Sequence, residues 1–274
     1  KYILGDIAAS IRRTAKESGL ELSDFSGAGM GFPGPVLPDG HCEVCVNLGW
    51  KAGNPQQELS RLLDGMVVKS GNDANVAALG EMWQGGGKGY KNLVMVTLGT
   101  GVGGGVVING KVVSGAHGAG GEIGHITVPD PEKAPCSCGK CGCLEQYASA
   151  NGIVRVTKKR LLEMDTESLL RGASTITCKD VFDAARQQDA FAVETLELIF
   201  DYLGEAIASI CCVCDPQYVI FGGGVSRQGE FLLEGVKRHF EKYAFHACKS
   251  VQFRQATLGN DAGMYGAFRL LLLN

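Results

Sequence analysis

The sequence predicts an α/β protein with two lobes. At 274 residues the chain is long enough to bury two sizeable cores. Short apolar runs with strand patterning are interspersed with longer segments in which apolar residues recur at helical spacing. Glycine is unusually frequent, with 40 residues, and it is concentrated in loops flanked by strands instead of in a low-complexity tract.

The first part of the chain predicts helices and strands in turn. They cover residues 3–17 (helix), 28–36 and 41–50 (extended), 55–63 (helix) and 67–69 (strand). Asn72 and Asp73 then open another helix. By itself, Asp73 is an ordinary acid in the first turn of a helix. Because it stands where a strand ends and a helix begins, its carboxylate is also well placed to face a cleft.

A glycine-rich segment connects two predicted strands in the middle of the chain. The strand 93–98 is followed by the glycine-rich stretch 99–105, and a second strand then runs into an Asn109-Gly110 hairpin turn. A dinucleotide-binding fingerprint needs a helix after the glycines, so this order of elements argues against it. A plain glycine hairpin is one interpretation. The other is a phosphate loop, in which glycines let backbone N–H groups approach phosphate oxygens, with Thr100 and Gly101 as the expected contacts.

The remaining elements are helical except for one strand. Residues 150–214 have helical periodicity, and Thr177 and Asp180 form a capping box within them. The apolar strand 218–221 leads into the three glycines at 222–224 and then into a further helix. A final helix is predicted over 263–273.

A segment rich in cysteine and histidine lies between His117 and Tyr147. Four cysteines fall within eight positions, and they are Cys136, Cys138, Cys141 and Cys143. His125 precedes the first of them by eleven residues. This spacing suits a tetrahedral zinc site of three thiolates and one imidazole, because eight consecutive residues can hardly surround an ion on four sides. A surface disulfide or a set of free thiols is the alternative.

Two carboxylates flank this predicted metal site. Glu122 lies three residues before His125, and Glu145 lies two residues after Cys143. A site with four protein ligands is structural, because it leaves no open position for water or substrate. The metal would therefore hold both carboxylates in fixed positions, where they could accept hydrogen bonds from several hydroxyls of a polyol.

Composition argues against several classes of function. A net charge of −3 and a pI near 6.0 give no basic field for nucleic acid or an anionic membrane. No apolar run approaches the roughly 20 residues of a membrane-spanning helix. The cysteine count of eleven is odd and no signal peptide is evident, so we expect a reducing, cytoplasmic location.

The motifs resemble those of the ROK family, a name that stands for repressors, open reading frames and sugar kinases. The resemblance rests first on Glu122-Ile-Gly-His125 and on Cys136-x-Cys138-Gly-x-x-Gly-Cys143-x-Glu145. It extends to Gly31-Phe-Pro-Gly-Pro, Val46-Asn-Leu-Gly-Trp50, Asn72-Asp-Ala-Asn and the tail 258–268, and it is closest to the family's bacterial glucokinases. It implies an actin-like ATPase (ribonuclease H-like) fold with a cleft between two lobes. Lobe one would be residues 1–71 with 262–274, and lobe two would be residues 72–261.

The same resemblance implies roles for individual residues. The zinc ligands would be His125, Cys136, Cys138 and Cys143, whereas Cys141 occupies a variable position of the motif. Asp73 would be the catalytic base that accepts the proton of the sugar hydroxyl. The residues implied to bind sugar are Gly34, Asn47, Asn72, Asp73, Glu122, His125 and Glu145. Those implied to bind ATP are Thr100, Gly101, Gly103, Gly222, Gly223 and Gly224.

The reaction that the resemblance implies is the phosphorylation of glucose at its 6-hydroxyl by ATP, with Mg²⁺ neutralising charge on the phosphates. A kinase for another hexose, such as N-acetylmannosamine, N-acetylglucosamine, fructose or allose, remains open. A third reading is a sugar-responsive repressor, which would need a basic helix-turn-helix and can lose the catalytic acid that Asp73 supplies here. A fourth alternative is an interaction module that binds zinc and has no enzymatic activity, but it would not explain the two glycine-rich loops.

Two further expectations follow from the resemblance. The protein is expected to be a homodimer. The family also begins with a strand hairpin that carries an Asp-x-Gly-Gly-Thr phosphate motif. No such motif occurs in these 274 residues, so we expect the family's first strands to precede Lys1.

Overall fold

The computed structural model describes residues 2–43, 45, 48–130 and 133–273. In chain order the helices are α1 (Ile3–Glu17), α2 (Pro55–Leu62), α3 (Asp73–Gln84), α4 (Glu145–Ala148), α5 (Ala150–Glu163), α6 (Cys178–Arg186), α7 (Ala190–Cys214), α8 (Glu230–Tyr243) and α9 (Ala262–Leu271). The strands are β1 (Ala28–Phe32), β2 (Val68–Asn72), β3 (Leu93–Leu98), β4 (Val102–Ile108), β5 (Lys111–Val112), β6 (Tyr218–Gly222) and β7 (Gln252–Gln255).

The chain divides into two compact units. The first contains Lys1–Lys91, Gly105–Gly121 and Asn260–Asn274, and the second contains Asn92–Gly104 and Glu122–Gly259. The division differs from the boundary expected at residue 71, because α3 belongs to the first unit and packs against α9. A Cβ at Gly80 would lie 2.1 Å from the Ala262 carbonyl oxygen, so the two helices meet with their backbones nearly in contact.

The first unit is built on a parallel pair of strands. β1 and β2 pair in register from Ala28↔Val68 to Phe32↔Asn72. The apolar faces of α1 and α2 complete a core with these strands, in which Leu59 and Leu63 are almost fully buried. Burial of such side chains stabilises the unit by roughly 2 kcal/mol each. This core fixes the point at which β2 ends and α3 begins.

A hairpin also belongs to the first unit. β4 pairs antiparallel with β5 through Val107↔Val112 and Ile108↔Lys111. Asn109 and Gly110 both have positive φ, 52° and 76°, as a two-residue type I′ turn requires. The hairpin predicted from the Asn-Gly pair is therefore confirmed.

The second unit contains a parallel sheet. β6 lies between β3 and β7 and pairs with both in parallel, and the start of β4 lies beside β3. All five residues of β6 are buried. The helices predicted within 150–214 are present as α5, α6 and α7, and Thr177 and Asp180 form the predicted capping box. The polar edge strand β7 was not predicted, because the sequence Gln-Phe-Arg-Gln carries no buried run.

Two sequence expectations need correction. Within the described part of 41–50, the structure has only isolated bridges, Cys42↔Gly53 and Cys45↔Trp50, in place of a strand. Both cysteines are buried, and Cys45 Sγ donates to the Pro33 carbonyl oxygen at 2.7 Å. The second correction concerns residues 222–224, which were expected to lead directly into a helix. They lead instead into a 3-10 turn, Val225–Gln228, and α8 begins only after it.

The described residues contain no helix that is both long and apolar enough to cross a membrane. The eleven cysteines are free thiols.

Candidate functional site

The two glycine segments follow adjacent parallel strands of the second unit. Thr97 near the end of β3 pairs with Gly222 at the end of β6. The loop after β3, residues 99–101, and the glycines 222–224 therefore leave the sheet at the same edge. In open α/β sheets, ligands bind outside the carboxyl ends of the strands. The structure thus brings together the two segments from which ATP contacts were predicted.

The loop after β3 is held by the start of helix α5. Ala150 N donates to the Gly99 carbonyl oxygen at 2.8 Å, and Asn151 Nδ2 donates to the Thr100 carbonyl oxygen at 3.1 Å. Thr100 itself is exposed, so its hydroxyl and the neighbouring backbone are open to a ligand. These bonds fix the backbone of the loop while they leave its outer surface accessible.

Glu145 joins the predicted sugar site to this loop. The backbone N–H of Val102 donates to Glu145 Oε2 at 3.1 Å. A Cβ at Gly101 would lie 2.2 Å from the same oxygen, so the carboxylate can reach the loop only because residue 101 is glycine. Gly124 has a similar role, because a Cβ there would lie 2.1 Å from the Val102 carbonyl oxygen.

The second glycine segment is also shaped by close contacts. Gly223 has φ of 83°, and a Cβ there would lie 2.5 Å from the Leu98 carbonyl oxygen. Ser226 Oγ donates to the Gly223 carbonyl oxygen at 2.8 Å and so closes the turn. In contrast, a Cβ at Gly224 would meet nothing within 4 Å. Gly223 is therefore required by packing, whereas Gly224 borders open space.

The four predicted zinc ligands form one cluster. The candidate ligand atoms of His125, Cys136, Cys138 and Cys143 all lie within 4.8 Å of one another. Cys138 Sγ lies 3.6 Å from Cys143 Sγ, and His125 Nδ1 lies 3.7 Å from Cys136 Sγ. Ligands bound to a tetrahedral zinc at about 2.0–2.3 Å lie roughly 3.3–3.8 Å apart, so the donor set and its spacing fit that ion.

The thiols of this cluster differ in their environments. Burial raises the pKa of the Cys143 thiol to about 12, and the hydrogen bond with Cys138 acts in the same direction. The backbone N–H of Lys140 lowers the pKa of the exposed Cys138 thiol. A divalent cation would favour the thiolate form of both residues, because thiolates are the species that bind metal.

His125 also lies beside a carboxylate. With Nδ1 directed to Cys136, its other ring nitrogen, Nε2, lies 4.0 Å from Glu122 Oε2. Lys140 Nζ donates to the His125 carbonyl oxygen at 2.7 Å and anchors the backbone at this position. One imidazole ring therefore connects the cysteine cluster to the predicted sugar-binding carboxylate of Glu122.

In the first unit, Asn72 and Asp73 lie at the junction of β2 and α3. Asn72 is buried, its Oδ1 caps α3 by accepting from Asn75 N at 3.0 Å, and its Nδ2 donates to the Gly34 carbonyl oxygen at 3.1 Å. Asp73 is the first residue of the helix and its side chain is exposed. The structure thus brings Gly34 and Asn72 together and leaves the Asp73 carboxylate accessible.

The buried side chain of Asn75 also stabilises the first turn of α3. It is 3% exposed, and its Nδ2 donates to the Gly120 carbonyl oxygen at 3.0 Å. This bond ties the first turn of α3 to the glycine-rich segment that precedes Glu122 in sequence. The sequence places Asn75 in a family motif without indicating its role, and it does not indicate Asn151 or the Val102 amide. Only the position of Asn75 in the Asn-Asp-Ala-Asn motif could have indicated it.

One predicted contact cannot be placed. Asn47 lies outside the described residues, and its assignment to the sugar stays a prediction.

Known proteins similar to this chain include sugar kinases. The ROK family model matches residues 6–273. A glucokinase from Halalkalibacterium halodurans is 46% identical over 249 residues, which cover 89% of this chain and 75% of that protein. An N-acetyl-D-glucosamine kinase from Vibrio cholerae is 32% identical over 248 residues, with coverage of 87% and 78%.

A solved structure extends the similarity to three dimensions. A ROK family glucokinase from Streptomyces griseus, in complex with glucose and AMPPNP, has a TM-score of 0.75 with this chain at 32% identity. The match covers 97% of this chain and 87% of that one. The predicted actin-like ATPase fold is therefore confirmed.

Proposed function

The chain belongs to the ROK family, and from this premise we propose that it is an ATP-dependent hexose kinase that phosphorylates glucose at the 6-hydroxyl. The observation that carries the proposal is the hydrogen bond from Val102 N to Glu145 Oε2. It joins a carboxylate of the proposed sugar site to the loop of the proposed phosphate site. The glucokinase relative and the structural neighbour with glucose and AMPPNP support this choice of substrates.

ATP would bind at the edge of the sheet where both glycine segments emerge. Thr100, Gly101 and Gly103 would place backbone N–H groups and a hydroxyl against the phosphates. The glycines 222–224 would admit the adenosine, and the open space at Gly224 suits this role. Mg²⁺ would arrive with the nucleotide and neutralise charge on the phosphates.

The sugar would be bound by the amide and carboxylate side chains of Asn47, Asn72, Glu122 and Glu145, with Gly34 and His125 beside them. Asp73 would accept the proton of the 6-hydroxyl. Its exposed position at the first turn of α3 makes the carboxylate accessible to a substrate. Phosphoryl transfer proceeds through a loose transition state, so positioning of this carboxylate matters more than its basicity.

Zinc would be held by His125, Cys136, Cys138 and Cys143. The ion would be structural, since four protein ligands close its coordination sphere. Through His125 Nδ1 it would fix the imidazole so that Nε2 faces Glu122 and the bound sugar. We further propose a cytoplasmic location, consistent with eleven free thiols, and a homodimer.

The test is ADP release by the full-length protein. Mg-ATP would be supplied with each of glucose, N-acetylglucosamine, N-acetylmannosamine, fructose and allose, and without sugar. We expect turnover that depends on glucose and falls by at least about a thousandfold in Asp73→Asn, because the proton acceptor is lost.

Other outcomes separate the alternatives. Faster turnover with N-acetylglucosamine than with glucose would make N-acetylglucosamine the substrate, and the assignment as a sugar kinase would stand. Calorimetric glucose binding without turnover, unchanged by Asp73→Asn, would contradict a kinase and favour a sugar-responsive repressor.

A further inference from the structure

A cavity lies in the first unit, and none of the residues assigned to sugar or ATP is among its described lining residues. It has a volume of about 330 Å³ and is formed by the end of α3, the loop that follows it, the β4–β5 turn and the end of α9. This volume is at the lower end of the range for small-molecule sites. Met82 in its wall and Asp73 are both on α3, nine residues apart, which corresponds to about 14 Å along the helix axis.

The polar wall of this cavity is cationic. Lys91, Lys111 and Arg269 line it, and none of the described lining residues is acidic. Among the described residues, Lys111 and Arg269 form no ion pair with a carboxylate. Arg269 Nε is also buried without a hydrogen-bond partner in the part of the chain that the structure describes. Within the described residues, no carboxylate is therefore paired with Lys111 or Arg269, and these two cations favour an anionic ligand.

The Arg269 guanidinium is held in place by an aromatic cluster. Its central carbon lies 5.7 Å from the centroid of the Trp83 ring, within the range of a cation–π contact. Trp83 in turn stacks on Phe268 at 5.7 Å and meets the edge of Tyr265 at 6.3 Å. The orientation of the guanidinium is thus largely set before a ligand arrives, which lowers the entropic cost of binding.

The β4–β5 turn at the cavity is also held in position. The β4–β5 turn places Asn109 and Lys111 at the cavity. Gly110 N donates to the Lys91 carbonyl oxygen at 2.8 Å and ties this turn to the loop after α3. The lining therefore combines apolar surface from Met82 and Trp83 with cationic side chains and the Asn109 amide.

We propose that this cavity binds a phosphate monoester of a small ring compound, either a sugar phosphate or a nucleoside monophosphate. A phosphate monoester carries about −1.5 to −2 charges at pH 7, which matches the two positive charges of Lys111 and Arg269. The Arg269 guanidinium can donate to two phosphate oxygens at once. The flexible side chain of Lys111 supplies a second positive charge. The ring would lie against Met82 and Trp83, with Asn109 and Tyr90 at its polar groups. The inference does not depend on the proposed kinase activity.

Trp83 allows a direct test. The chain has two tryptophans, so Trp50→Phe leaves Trp83 as the sole tryptophan reporter. This variant would be titrated at low salt with glucose 6-phosphate, AMP and inorganic phosphate, each in turn, by fluorescence and by calorimetry. We expect saturable binding of glucose 6-phosphate or AMP that perturbs Trp83, with inorganic phosphate weaker.

Two charge-reversal variants test whether the ligand binds in this cavity. Lys111→Glu should weaken the binding about tenfold or more, the loss expected for one charged hydrogen bond replaced by repulsion. Lys69→Glu makes the same change of net charge at an exposed position on β2 and should leave the binding unchanged. Whichever of glucose 6-phosphate and AMP binds with the higher affinity would identify the ligand class.

Three results would overturn the proposal. The first is absence of binding for all three probes at millimolar concentration. The second is equal affinity for inorganic phosphate and both monoesters, which would remove any role for the ring. The third is binding that Lys111→Glu and Lys69→Glu affect alike, which would place the ligand elsewhere.

Discussion

At the scale of single residues, the candidate site depends on atoms that approach unusually closely. Gly101 leaves room for Glu145 Oε2, and the neighbouring Val102 amide then binds that oxygen. The choice of glycine here is therefore explained by a specific carboxylate, because glycine has no Cβ to block the close approach.

Replacement of Gly101 by alanine should disrupt catalysis more than stability. The new methyl group would lie 2.2 Å from Glu145 Oε2, so the carboxylate must move and lose its bond to Val102. We expect kcat/KM for glucose to fall about 10–100-fold, since a displacement near 1 Å can cost this much. Gly5→Ala, whose Cβ would point into open space on α1, is the matched control and should retain full activity. An unchanged kcat/KM in Gly101→Ala would contradict the role of Glu145.

Asn75 gives a second prediction at this scale. Asn75→Ala removes the donor to the Gly120 carbonyl oxygen and leaves that half-buried acceptor without this partner. We expect the free energy of unfolding to fall by about 1–3 kcal/mol in denaturant titrations. The exposed Asn260→Ala should change it by less than about 0.5 kcal/mol. Equal effects of the two variants would show that the bond to Gly120 contributes nothing.

At the scale of elements, α7 and α8 are joined by close packing and by an ion cluster. A Cβ at Gly204 would lie 2.6 Å from Phe240 N, so the two backbones come close together. His239, 5% exposed, lies between two acids of α7, with Nδ1 at 2.7 Å from Asp201 and Nε2 at 2.8 Å from Glu197. Arg238, Lys242 and Tyr243 complete this cluster.

This cluster predicts acid sensitivity. Burial raises the pKa of Glu197 and Asp201, but hydrogen bonds from His239 and neighbouring groups outweigh it and hold both pKa values below their ordinary range. A carboxyl whose pKa is lower in the folded state stabilises the fold above its unfolded pKa, near 4. That contribution is lost as pH falls towards the folded value.

The variant Asp201→Asn tests this linkage. We expect its melting temperature to be lower than that of the unmodified chain at pH 7 and the difference to shrink between about pH 4 and pH 2. Asp165→Asn, at an exposed position, should follow the unmodified chain throughout. A constant difference across this pH range would contradict the proposed contribution of the carboxylate.

At the scale of the whole molecule, the cysteine-rich segment has little regular structure of its own. Apart from α4 and a 3-10 turn at Ile123–His125, its described residues are connected by isolated bridges such as Thr127↔Cys143 and Pro135↔Cys141. A bound metal would therefore supply much of the order of this segment, because metal binding free energy acts as folding free energy.

Removal of the metal should accordingly affect stability and sugar binding together. We expect elemental analysis to find one zinc per chain, and Cys138→Ser to lose it along with calorimetric glucose binding and several degrees of melting temperature. Cys141→Ser, at an exposed thiol outside the cluster, should keep all three. Metal-free protein that binds glucose normally would show that His125 and Glu122 do not depend on zinc.

The sequence by itself determined the local features of this protein. Four predicted features depend on residues that are close together in the chain. They are the N-termini of the helices capped by Asn72 and Thr177, the Asn109-Gly110 turn and the buried strand that begins at Tyr218. The motifs around His125 and Cys136 also identified the family. Local chemistry sufficed here because caps, turns and apolar runs act over a few residues.

Only the tertiary structure decided which distant residues meet. The packing of Gly80 on Ala262 placed α3 with α9, which moved the boundary of the first unit beyond residue 71. The bond between Glu145 and Val102 joins positions 43 residues apart, and the cationic cavity combines α3, α9 and a hairpin turn. These features depend on close backbone approach between elements, which no periodicity or motif spacing along the chain encodes.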